Sequence, residues 1–173
     1  MKHVFRYITV LGTILFAANA GFAQDQVGIS LGAGFAVREL FPGVSQDFSV
    51  SYNSDSFELS ARFVKANRIR GILTFNGPQP YLDNFQEYSL NVGYIKQTGA
   101  MLYAAHIGLG QLRGKYNEER NNASFETLCV PITGQVLWRL AEPVAIGPTA
   151  SLNLNGKETF VGIWFNVRMG FQI

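Results

Sequence analysis

The chain has 173 residues, of which 13% are aromatic, 18 are glycine and only 15% are charged, a balance that suits strands with one face against lipid better than a water-soluble domain. Lys2 and Arg6 lie in a segment expected to be removed, so the 14 basic residues fall to 12 and match the 12 acidic ones, and no basic surface for nucleic acid is indicated. A single cysteine, Cys129, excludes an intramolecular disulfide, and His106 without a cysteine or carboxylate cluster around it points to no metal site.

Residues 1–23 open with Lys2 and Arg6, run through the apolar stretch 8–18 and close on the small residues Gly21 and Ala23. This is the form of a secretory signal peptide cleaved before Gln24, and its apolar run is too short for a spanning helix. Residues 24–173 are expected to form one domain.

From Val27 onward apolar and polar residues alternate, the period-two signature of strands. The first run sets Val27, Ile29, Leu31, Ala33, Phe35 and Val37 against Gly28, Ser30, Gly32, Gly34 and Ala36. The second sets Phe48, Val50 and Tyr52 against Asp47, Ser49 and Ser51, and turns at 53–56 into a third with Phe57, Leu59, Ala61 and Phe63 against Glu58, Ser60 and Arg62. The fourth carries Tyr88, Leu90, Val92 and Tyr94 opposite Glu87, Ser89, Asn91 and Gly93. A turn ending at Gly99 leads to a fifth, with Met101, Tyr103, Ala105, Ile107 and Leu109 opposite Ala104, His106, Gly108 and Gly110. In the sixth, Leu128, Val130, Ile132, Val136 and Trp138 oppose Thr127, Cys129, Thr133 and Gln135. The seventh alternates Val144, Ile146, Ala150, Leu152 and Leu154 with Gly147, Thr149, Ser151 and Asn153. The last sets Val161, Ile163, Phe165, Val167, Met169 and Phe171 against Gly162, Trp164, Asn166, Arg168, Gly170 and Gln172.

Most runs approach the about 9 to 11 residues that a tilted strand needs to cross a bilayer, and nothing after residue 23 offers the about 20 apolar residues of a spanning helix. The connections are expected to be long at 38–46, 67–85 and 113–124 and short at 53–56, 97–100 and 139–143, with a short last hairpin at 155–158. Short periplasmic turns and longer external loops are the habit of outer-membrane barrels. Two aromatic girdles are expected on this topology, Tyr52, Phe57, Tyr94, Tyr103, Trp138 and Phe171 at the periplasmic rim and Phe35, Phe48, Phe63, Tyr88 and Phe160 at the outer one. Pro131 and Pro148 fall inside strands of a sheet with no free edge, which predicts a bulge or broken pairing at each.

An eight-stranded barrel is only wide enough to be filled by side chains. Glycines 28, 32, 34, 108, 110, 162 and 170 are expected to line it and leave room for Arg62, Arg168, Trp164 and His106. Charges held away from water must pair, so Glu58, Arg62, Glu87 and Arg168 are expected to form a lumenal ion-pair network of structural rather than catalytic purpose. His106 has no serine at a partnering spacing and reads as structural filler. Lys65, Arg68 and Arg70 open the longest external loop and are candidates for contact with lipopolysaccharide phosphates.

The signal peptide, the eight amphipathic runs and the closing segment 165–173 together resemble the small eight-stranded outer-membrane barrel family of the outer-membrane protein A and X type. The resemblance implies an all-β fold, an eight-stranded antiparallel transmembrane up-and-down β-barrel in the outer membrane of a Gram-negative cell. Its implied partners are outer-membrane lipid, lipopolysaccharide and the outer-membrane insertion machinery. That machinery usually reads a terminal aromatic, and here Phe171 is followed by Gln172 and Ile173, a displacement from the family pattern. The expected function is a non-enzymatic barrel with a closed polar lumen, no catalytic, cofactor or metal site, and external loops for surface, lipopolysaccharide or partner interaction. The alternatives are a narrow porin-like conduit for small or apolar solutes, with the 67–85 loop as a lid or lateral entrance, and an envelope-lipid-modifying enzyme. A soluble lipocalin-like barrel would need the opposite arrangement, apolar inside and polar outside.

Overall fold

The computed structural model describes residues 26–38, 41–54, 56–68, 81–117, 123–157 and 159–172. The expected signal peptide, Arg70 and the 69–80 part of the expected lid lie outside the described residues.

Eight strands follow one another along the chain: β1 (Gln26–Arg38), β2 (Phe41–Ser54), β3 (Phe57–Arg68), β4 (Tyr81–Thr98), β5 (Met101–Asn117), β6 (Ser124–Ala141), β7 (Val144–Asn155) and β8 (Phe160–Gln172). Each pairs antiparallel with the next, and β8 pairs with β1, closing an up-and-down barrel. Closure removes every sheet edge, so each strand has a neighbour on both sides for its backbone groups. A walk across the paired residues from Gln135 through Thr149, Trp164, Gly34, Ser45, Ala66, Phe85 and Gly114 returns to β6 at Phe125, ten residues from its start. For eight strands that stagger corresponds to a strand tilt of about 40°.

The β2–β3, β4–β5 and β6–β7 turns share one end of the barrel, the turn end. Ser56, Ala100 and Pro143 offer carbonyls there to the N–H groups of Ile95, Arg139 and Gly170 on the next strands, at 2.8, 2.7 and 2.9 Å. Gly99 takes φ +59° in its two-residue turn, a conformation that only glycine enters without strain.

At the opposite, loop end the strands outrun the sequence reading. Residues 38–46 are not a long connection: β1 ends at Arg38 and β2 starts at Phe41, with Pro42 opposite Val37 and Gly43 opposite Ala36. The Pro42–Gly43 pair has the composition of a turn, but Gly43 faces inward beneath its neighbour strands and continues the ladder. β4, β5 and β6 reach 18, 17 and 18 residues. Their added residues keep the period of two, while the outward positions change from apolar to polar: Gln86 and Asn84 on β4, Arg113 and Lys115 on β5, and Glu126 and Ser124 on β6.

The facing follows the sequence alternation. Leu31, Phe35, Leu90, Ile107, Leu109, Leu128, Ile163 and Phe165 are exposed on the outside, whereas Asp47, Glu58, Arg62, Glu87, His106 and Arg168 are buried inside. Both prolines coincide with lapses in pairing and leave the register intact. The β5–β6 ladder skips Gly108 and Leu109 opposite Val130 and Pro131, and the β6–β7 ladder skips Val136 and Leu137 opposite Gly147 and Pro148. The missing N–H of proline accounts for both.

The girdle expectation needs two corrections. Phe160 lies on the inward face of β8 and is buried in the barrel, and Tyr52 is buried rather than displayed at the turn-end rim. Phe57, Tyr94, Tyr103, Trp138 and Phe171 near that rim, and Phe35, Phe48 and Tyr88 on the other side, are exposed on the exterior.

Candidate functional site

The lumen is organised in layers, each set by which inward positions of neighbouring strands share a height. At the loop end sits an apolar plug of Ala36, Val64, Ala66, Phe85, Leu112, Cys129, Phe160 and Trp164, with Phe125 packed against it. The rings of Phe85 and Phe160 lie 4.2 Å apart, and Val64 and Leu112 have no accessible surface. A closed polar lumen holding Trp164 among glycines and charges was expected, so the apolar plug around that indole is a correction. Val64, Ala66, Phe85, Leu112 and Phe160 lie beyond or at the margin of the recognisable runs, whereas Ala36, Cys129 and Trp164 belong to them.

Below the plug lies a cluster centred on Arg62. Its Nε donates to Asp47 Oδ1 at 2.9 Å, Nη2 reaches Asp47 Oδ2 at 3.4 Å, and Nη1 donates to Ser151 Oγ at 3.0 Å and Thr133 Oγ1 at 3.2 Å. The guanidinium carbon stands 4.7 Å from the Trp164 ring centroid, a cation–π contact between two buried side chains. Glu87 is 3.8 Å from Arg62 Nη1 and accepts from Asn153 Nδ2 at 2.7 Å and Ser89 Oγ at 3.0 Å. Asn166 Nδ2 donates to Asp47 Oδ2 at 3.1 Å. Two carboxylates thus flank one cation, with neutral donors satisfying much of their remaining capacity.

A second cluster lies toward the turn end. Arg168 binds Glu58 through two bonds, Nη2 to Oε2 at 2.8 Å and Nη1 to Oε1 at 3.3 Å, and also donates to Ser51 Oγ at 3.1 Å. The Asn53 amide, oriented to satisfy both neighbours, donates to Glu58 Oε2 at 2.8 Å and accepts from Arg168 Nη2 at 2.9 Å. His106 Nε2 stands 3.2 Å from Glu58 Oε1. Beneath this cluster a cavity of about 500 Å³ opens at the turn end, lined by Asn53, Gln97, Leu102, Arg139, Arg168 and Phe171 among others.

The four residues expected to form one network are therefore divided between two clusters, Glu58 with Arg168 and Arg62 with Glu87. Sequence reasoning placed Asp47 on the inner face without assigning it to the network, yet Asp47 is the nearer partner of Arg62. His106 is placed against Glu58, whose carboxylate Arg168 already occupies. Several inward glycines make this packing possible: a Cβ on Gly32 would overlap the Asn166 amide, one on Gly93 the His106 ring, and one on Gly162 the Trp164 indole. Among the described residues no group of three or more His, Cys, Asp or Glu side chains is arranged to hold a metal ion.

On the exterior, Lys65 points outward from β3 between Gln46 of β2 and Gln86 of β4. Arg68 ends β3, with its backbone opposite Gly43.

No protein-family model matches the chain, and no curated protein matches it. Among solved structures, Neisserial surface protein A aligns at TM-score 0.62 and 14% identity, over 85% of this chain and 97% of that one. Ail, the attachment invasion locus protein of Yersinia pestis, solved with the heparin analogue sucrose octasulfate, aligns at 0.59 and 10%, over 87% of this chain and 100% of that one. The N-terminal β-barrel domain of Pseudomonas aeruginosa OprF aligns at 0.59 and 13%, over 87% and 99%. With the closed antiparallel topology, these likenesses give the chain the fold of the small eight-stranded outer-membrane β-barrels.

Proposed function

We propose that the protein is a non-enzymatic, non-conducting integral barrel of the outer membrane, delivered by its signal peptide and the outer-membrane insertion machinery. Its loop end faces the exterior and interacts with lipopolysaccharide, surfaces or partner proteins. The observation that carries this reading is the inverted polarity of the barrel: large apolar side chains cover the outside while charged and amide groups are buried within. A soluble barrel with that exterior would expose far more contiguous apolar surface than water tolerates. The layered lumen supports the non-conducting part, since an apolar plug and two bound ion clusters succeed one another along the axis. Lys65, Arg68 and Arg70 are the proposed lipopolysaccharide contacts, of which Lys65 lies on the exterior of β3, and the turn-end cavity faces the periplasm.

Two measurements test the reading. The cellular protein should sediment with outer membranes and migrate differently in detergent gels before and after heating. Purified protein in planar bilayers should give no steady single-channel conductance. A soluble periplasmic pool rejects the membrane reading, and a stable conductance replaces the closed barrel with the conduit.

A further inference from the structure

From the register of the barrel wall we infer a one-sided polar collar, on the β2–β6 flank just above the apolar belt, that binds the phosphorylated saccharide of outer-leaflet lipopolysaccharide. The inference rests on the outer-membrane reading above and specifies which face of the barrel meets that lipid.

Outward residues of neighbouring strands fall into rows. One row runs Phe48, Phe63, Tyr88, Gln111 and Leu128 across β2 to β6. It is largely aromatic and apolar, with the Phe63 and Tyr88 rings 4.9 Å apart. The next row toward the loop end is polar throughout: Gln46, Lys65, Gln86, Arg113 and Glu126. The row above that holds Asn67, Asn84, Lys115 and Ser124 after Val44. The change from oil to charge and amide is thus abrupt, within one row on several strands.

The collar is confined to one side. On β7, β8 and β1 the outward residues stay apolar to the strand tops, at Leu154, Val161 and Val37. On β4, residues 81–87 continue beyond Tyr88, a projection of about 17 Å along the barrel axis at the rise of a tilted strand. That places the collar at the depth of head groups and core sugars, outside an apolar band about 25 Å tall.

Its chemistry suits an anionic sugar. Among the described outward side chains of these rows, Lys65, Arg113 and Lys115 are cationic and Glu126 is the one anion. Arg113 Nε is 2.9 Å from Glu126 Oε2, with both side chains half exposed, so the guanidinium keeps further donors available for a phosphate. Lys65 and Arg113 are two strands apart in one row, about 10 Å, and Lys115 is two residues above Arg113, about 7 Å. The amides of Gln46, Gln86, Asn67 and Asn84 between them both donate and accept, as sugar hydroxyls require. A phospholipid presents one phosphate and few hydroxyls, which satisfies less of this surface.

The full chain, folded in detergent, is titrated with purified lipopolysaccharide, dephosphorylated lipopolysaccharide, phosphatidylglycerol and inorganic phosphate. Wild-type protein should bind lipopolysaccharide about tenfold more tightly than the dephosphorylated form, and the triple variant Lys65→Gln/Arg113→Gln/Lys115→Gln should lose about that factor. Lys96→Gln, an exposed cation at the opposite end, should lose nothing. Equal affinity of wild type and triple variant, an equal loss in Lys96→Gln, or phosphatidylglycerol or free phosphate binding as tightly as lipopolysaccharide each overturns the proposal. Insertion into liposomes is scored separately in the same preparations, so a chain that inserts but ignores lipopolysaccharide sinks the collar and spares the membrane reading.

Discussion

Truncation of the plug is the sharpest perturbation of the lumen. Phe160 is 2% exposed, stacked 4.2 Å from Phe85 and packed in the same cluster as Trp164 and Leu112. Phe160→Ala would leave a void of about 100 Å³ if its neighbours hold still, which costs about 2.4 kcal/mol at about 24 cal/mol per Å³. Loss of the ring's transfer free energy adds about 2 kcal/mol, for a total of about 4 kcal/mol, within the range usual for buried Phe→Ala changes. Phe165 lies five positions further along the same strand, exposed on the outside. Phe165→Ala removes a ring that meets lipid, so it forfeits the transfer contribution without creating a cavity. Urea unfolding of both variants from liposomes should therefore show Phe160→Ala the more destabilised by about 2 kcal/mol. Equal destabilisation of the two, or a greater loss from Phe165→Ala, would refute a packed apolar plug.

Breaking one member of the lower ion cluster by Arg168→Ala strands Glu58 in the lumen and should cost about 3–5 kcal/mol, read as a lowered unfolding temperature in detergent. The double variant Glu58→Gln/Arg168→Met should recover part of that loss, because it leaves no unpaired charge. Gly162→Ala forces a methyl into the Trp164 indole and should destabilise by about 1–3 kcal/mol in the same assay. Gly134→Ala, whose added methyl meets nothing within 4 Å, should be neutral or stabilising by about 0.4–1 kcal/mol.

Facing was legible in the sequence because a strand has a period of two and one side of the wall is oily: Leu31, Arg62, Ile107 and Arg168 all face as their neighbours in sequence indicate. The proline lapses were legible too, since a missing N–H in a closed sheet has local consequences. Height was not legible. Whether Arg62 meets Asp47 or Glu58 depends on the ten-residue stagger of the closed barrel, which no single strand encodes. The plug was missed for a related reason. Val64, Phe85, Leu112 and Phe160 are apolar residues at inward positions near strand ends, where the exterior is turning polar or a run is only beginning, so alternation there fails to single out either face as the oily one. The charged residues Arg113, Lys115 and Glu126 have a loop's composition and yet extend β5 and β6 beyond the apolar belt.

The central claim is that the apolar face of the wall meets lipid and the polar face encloses a packed lumen. The chain's two tryptophans stand on opposite faces, Trp138 outside at 45% exposure and Trp164 inside at 1%. Fluorescence of the variants Trp164→Phe and Trp138→Phe, each reconstituted in bilayers of acyl-brominated phospholipid, reads the two positions separately. The account predicts strong bromine quenching of Trp138 and little of Trp164. Quenching of Trp164 with Trp138 left bright, or equal quenching of both, would contradict it.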